Sequence, residues 1–66
     1  MAGIEDFERV DLITIGIRIL EQQAKLRDRL GASEETLGNA ERAKEYAYQA
    51  KGLRFSAEKL ADLIEE

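Results

Sequence analysis

The chain has no cysteine, histidine, proline or tryptophan. The first two absences remove disulfides, thiolate and imidazole metal ligands, and the side chain best suited to acid-base work near neutral pH. Its five glycines are scattered rather than gathered into a phosphate-cradling loop. Long apolar runs are missing too. Arg18 and Glu21 interrupt the most hydrophobic stretch, and Met1 to Asp6 lack the basic-then-apolar layout of a secretory signal, so a cytoplasmic protein with no membrane span is expected. Bases are in deficit, ten against fourteen acids for a net charge of −4, which argues against broad attraction to nucleic acid or anionic lipid. The carboxylates that are present have the spacing of ordinary helix-surface residues. No enzyme activity, cofactor, metal or small-molecule ligand is expected.

What the chain does contain is a helix-forming composition. Ala, Leu, Glu, Lys, Arg and Gln dominate its 66 residues, and an all-α fold follows. A single domain of this length buries only about 60% of its unfolded surface. With disulfides and metals gone, the remaining sources of stability are closely packed helices or self-association.

The segment Val10 to Ala24 organises the rest, and it reads at two periods. At helical period Val10, Ile13, Ile17, Leu20 and Ala24 form one line, and Leu12, Ile15, Ile19, Leu26 and Leu30 a second, about 140° from the first on a helical wheel. At strand period Ile13, Ile15, Ile17 and Ile19 alternate with Thr14, Gly16 and Arg18. Helix is the leading reading, because Phe7 and Val10 already keep helical phase into Ile13. The expected domain is an antiparallel two-helix hairpin: helix one over about 4–30, beginning between Gly3 and Phe7 with Glu5, Asp6 and Glu8 in its first turn; a turn at 31–33; and helix two over about 34–65. Gly31 is the expected left-handed stop and Ser33 the expected cap of helix two. In helix two Thr36, Ala40, Ala43, Ala47, Ala50, Arg54, Ala57, Ala61 and Ile64 keep a four-three spacing that Tyr46, Leu53 and Leu60 widen. That phase survives Gly52 and Ser56, so one long helix is expected there rather than two.

One partner helix covers only one line of helix one. A second copy of the chain is the expected cover for the other, giving an antiparallel four-helix homodimer whose interface draws on Leu12, Ile13, Ile15, Gly16, Ile17, Ile19 and Leu20. Away from the seam of helix two, Leu37, Lys44, Tyr48, Lys51 and Phe55 are candidates for binding a larger protein partner, being apolar and aromatic groups interleaved with lysine. The line of Arg18, Gln22, Lys25 and Arg29 on helix one reads as a solvated charged face. Its bases Arg18, Lys25 and Arg29 are the alternative, nucleic-acid contacts.

Three resemblances attach to these layouts. In size, acidity and two-helix arrangement the whole chain is similar to small phage-encoded host-takeover proteins, including anti-activators that bind quorum-sensing transcription regulators; this implies a non-enzymatic regulator or inhibitor with a larger protein as its target. The two-helix dimer is also similar to the Rop-type plasmid copy-number regulators, which implies RNA contacts by Arg18, Lys25 and Arg29. The strand reading of Ile13 to Ile19 resembles ribbon-helix-helix DNA-binding proteins, which implies base contacts by Thr14 and Arg18.

Overall fold

The computed structural model describes residues 8–65. Two helices make up the fold, α1 (Arg9–Thr36) and α2 (Ala40–Glu65), packed along each other as a hairpin. Among the described residues no strand forms. The ribbon-helix-helix alternative is thereby corrected: Ile13 to Ile19 are helical throughout, and the Thr14 hydroxyl, on a residue type that favours strands, donates to the Val10 carbonyl one turn back at 2.8 Å.

Glu8 is extended at φ −73°, ψ 155°, and its carbonyl accepts the first helical bond of α1 from the Leu12 amide at 3.1 Å. Asp11, not Glu8, is therefore the acid of the first turn, where the helix dipole favours it. The start expected at about residue 4, with Glu5 and Asp6, lies outside the described residues.

The turn is not at 31–33. Gly31, Ala32 and Ser33 lie inside α1, which continues to Thr36, so Gly31 is not a stop and Ser33 does not cap α2. The connection is Leu37-Gly38-Asn39. Gly38 takes φ +84°, its amide donates to the Glu35 carbonyl at 3.1 Å, and the Asn39 amide donates to the Glu34 carbonyl at 2.8 Å, the paired bonds of a Schellman closure. Asn39 then opens α2, its carbonyl accepting from the Ala43 amide at 3.0 Å while its side-chain amide donates back to Glu34 Oε2 at 2.7 Å. Gly31 is glycine for a different reason. It is buried against α2, where a Cβ would lie 3.4 Å from Tyr46 Cβ and 3.5 Å from the Ala43 carbonyl oxygen.

The positions withdrawn from solvent include a regular series, Ile13, Ile17, Leu20, Ala24, Arg27, Gly31 and Glu34 in α1, and Ala43, Tyr46, Ala50, Leu53, Ala57, Leu60 and Ile64 in α2, flanked by Thr14, Gly16 and Ala61. Both series alternate spacings of four and three, the seven-residue repeat of a coiled coil. Small residues sit at its centre: Ala24 (0% exposed), Ala50 (1%), Ala57 and Gly31. They let the two backbones approach closely. The long α2 expected through Gly52 and Ser56 is continuous, but its seam is rotated from the expected one: Ala40, Ala47 and Arg54 are exposed, and Thr36 belongs to α1.

Candidate functional site

The cross-helix contacts sort the hairpin into two sides. On one, Arg54 donates to both carboxylate oxygens of Asp28. The Arg54 guanidinium, by that hydrogen bond, holds the Asp28 carboxyl below its ordinary range against a smaller opposing effect of desolvation, and Asp28 in turn raises Arg54. Shallow grooves along this side are lined by Glu21, Lys25, Arg54 and Glu58, and nearer the turn by Asp28, Glu35 and Lys44 between alanines. It is a charged side.

The other side carries the Arg27 Nε bond to Gln49 Oε1 at 3.0 Å, with Arg27 also held by Gln23 Oε1 at 2.8 Å, and the approach of Leu60 Cδ1 to within 3.6 Å of where a Gly16 Cβ would be. The second apolar line of α1 falls here. Leu12, Ile15, Ile19, Leu26 and Leu30 are each 39 to 53% exposed, and Leu53, Leu60 and Leu63 of α2 border them. Covering the exposed half of such a side chain is worth about 1 kcal/mol, so the line leaves about 5 kcal/mol unrealised, comparable with the net stability of a small domain.

This divides the expected dimer-interface residues. Ile13, Ile17 and Leu20 are half-buried in the seam with α2 of the same chain; Gly16 sits at the border under Leu60. Leu12, Ile15 and Ile19 face outward, and Leu26 and Leu30 extend their line.

The expected partner-binding set also divides. Leu37 caps the C-terminus of α1 at the tip of the hairpin, 70% exposed, and is not on α2. Lys44, Tyr48, Lys51 and Phe55 do share the outer face of α2, at spacings of four, three and four. Tyr48 is 80% and Phe55 58% exposed, and Lys59 Nζ lies 5.1 Å from the centre of the Phe55 ring, a cation-π contact whose only sequence signal is its i, i+4 spacing. Of the basic residues, Arg18, Lys25 and Arg29 are exposed on the outer flank of α1, but Glu21 and Asp28 interleave with them and Lys25 borders the groove that also holds Glu21 and Glu58.

Among the described residues no helix is long and apolar enough to cross a membrane, and no group of three or more acidic side chains is placed to hold a metal ion. No protein-family model, curated protein or solved structure matches the chain.

Proposed function

We propose that the protein is a non-enzymatic, cytoplasmic interaction module: a small regulator or inhibitor that docks on a larger protein, such as a transcription regulator, through the outer face of α2. The observation that carries this is the exposure of Tyr48 and Phe55 on one stripe of a helix whose opposite side is already occupied by α1. Aromatic rings supply contact area at low entropic cost, and the aliphatic stems of Lys44, Lys51 and Lys59 extend the apolar footprint while their charges select for acidic surroundings on the target. The hairpin is a rigid carrier for such a stripe, since two hydrogen-bonded helices joined by a turn with its own paired backbone bonds leave little to order on binding.

The test compares captures from a lysate of the cells in which the protein acts. Wild-type protein is expected to retain at least one protein that a Tyr48→Ala/Phe55→Ala variant loses and an Arg18→Ala/Arg29→Ala variant keeps. Identical captures by wild type and the aromatic variant would overturn the reading. Retention of RNA instead, lost with the arginines and falling steeply with added salt, would replace it by the nucleic-acid one.

A further inference from the structure

We infer that the side of the hairpin bearing Leu12, Ile15, Ile19, Leu26 and Leu30, bordered by Leu53, Leu60 and Leu63, seats a second copy of this chain, face to face about a two-fold axis. The inference builds on the reading of the chain as an interaction module, but it concerns the neighbouring side of the hairpin, which meets the Tyr48 and Phe55 stripe at the groove of Phe55, Ser56, Leu60 and Leu63, and it is tested apart from that stripe through Tyr48.

Three observations select a second copy as the occupant. The first is what the lone hairpin buries: among the described residues the buried apolar side chains are alanines, and no large side chain is fully removed from solvent. A fold that small needs a further core, and most of the exposed aliphatic residues that would build one are on this side. The second is area. Each partner in a stable dimer gives up roughly 800 Å². Two helices of this length, about 40 Å long and about 20 Å across together, present a face of about that size.

The third is charge. Along the middle of this side the polar groups are the amides of Gln23 and Gln49 and the hydroxyl of Ser56, and its arginine, Arg27, is already held by the two glutamines. Its other charges are at the ends, Glu34 paired with Arg42 at 3.9 Å near the turn and Lys59 and Asp62 beside Leu60 and Leu63. The opposite side is lined with Glu21, Lys25, Asp28, Arg54 and Glu58. A face that brings a copy of itself into contact must not place like charges together, and this side keeps its charges at its ends, away from the line of Ile15, Ile19 and Leu26, whereas the opposite side carries them along its length. In such a pair Tyr48 stays on the outside of each copy, while Phe55, which shares a groove with Ser56, Leu60 and Leu63, stands at the edge of the buried face.

Sedimentation of the full chain at about 50 µM tests this, with a mass near twice 7.5 kDa expected. Ile19→Glu and Leu12→Glu are each expected to weaken the pair by at least about 100-fold in Kd, while Tyr48→Glu leaves it unchanged. Because the glutamates could unfold the hairpin rather than part the copies, thermal melts of the wild type at two concentrations about 100-fold apart provide a second reading. A Tm that falls on dilution supports the pair. A folded monomer, a Tm independent of concentration, or a dimer weakened by Tyr48→Glu but not by Ile19→Glu would each overturn it. A monomer that still captures its target through the aromatics would sink this inference alone; a dimer indifferent to the aromatics in capture would sink only the docking reading.

Discussion

Three glycine-to-alanine substitutions decide where the chain reverses. Gly31 lies inside α1 and is buried, so alanine there gains helix propensity of about 0.8 to 1.0 kcal/mol. Its new methyl would stand 3.4 Å from Tyr46 Cβ and 3.5 Å from the Ala43 carbonyl oxygen, which is van der Waals contact rather than overlap. Easing Tyr46 outward offsets some of the propensity gain, and burial of the methyl contributes a similar amount, leaving a net gain of about 1 kcal/mol. Gly52 has nothing within 4 Å of the position an added methyl would take, so Gly52→Ala gains about 1 kcal/mol from propensity alone. Gly38 is the opposite case. At φ +84° a Cβ crowds the following carbonyl and costs about 1 to 2 kcal/mol, with no helix to compensate. In urea titrations followed by far-UV circular dichroism at one fixed protein concentration, Gly31→Ala and Gly52→Ala should raise stability and Gly38→Ala lower it; in melts each kcal/mol moves Tm by about 4 to 8 °C. A destabilised Gly31→Ala beside an unaffected Gly38→Ala would put the turn back at 31–33 and refute the packing described above.

Two further substitutions probe the seam and its flank. Ala50→Leu forces bulk into a contact where the native side chain is 1% exposed, and should lower stability by about 1 to 3 kcal/mol in the same titrations; a neutral effect would mean that the helices are not in close approach. Asp28→Asn addresses the ion pair with Arg54. Because folding depresses the Asp28 pKa, the pair's contribution is complete above the ordinary aspartate range and is lost as pH falls through the lowered value. Wild type and variant should therefore differ in stability near neutrality and converge in acid, by a small amount since both side chains are exposed to solvent. Parallel curves across that range would show that the pair does not form in solution.

Much of the hairpin is legible in the residues. The absence of proline, the helical composition and the unbroken phase through Gly52 and Ser56 lead to two long helices, and two long helices are present. The position of the turn is harder to read, because glycine after the last bulky residue of an apolar line has the same appearance whether it serves a left-handed stop or a close helix approach. What separates the two is the continuation of the seam beyond it, from Ala24 through Arg27 and Gly31 to Glu34, and the pairing of Gly38 with Asn39, a left-handed residue followed by a capping one. Arg27 and Glu34 obscure that continuation, since charged side chains at seam positions read as surface. They reach out instead to Gln49 and Arg42. The rotation of the α2 seam has a related cause. Alanine is favoured on any helix surface for its propensity, so Ala40 and Ala47 look like Ala50 and Ala57 until the partner helix is in place.

The same ambiguity explains why a surplus apolar face exists at all. α1 carries two lines that could each have met α2, one weighted toward small residues at Ala24 and Gly31, the other bulky throughout. The line with small residues turns inward because the facing positions of α2 are Ala43, Ala50 and Ala57, and small side chains at Ala24, Gly31 and these alanines let the backbones approach closely, while Ile13, Ile17 and Leu20 share the seam with Leu53, Leu60 and Ile64 toward the open end. That choice secures dispersion along the seam but only half-buries its own isoleucines and leucines, and a further share of the driving force is left outside, on Leu12, Ile15, Ile19, Leu26 and Leu30. Had the bulky line turned inward, the helices would have been held further apart and Ala24 and Gly31 would face water with nothing to offer a partner. A tight alanine seam and an outward leucine-isoleucine face are therefore one arrangement, in which the hairpin sets geometry and a second molecule completes the burial.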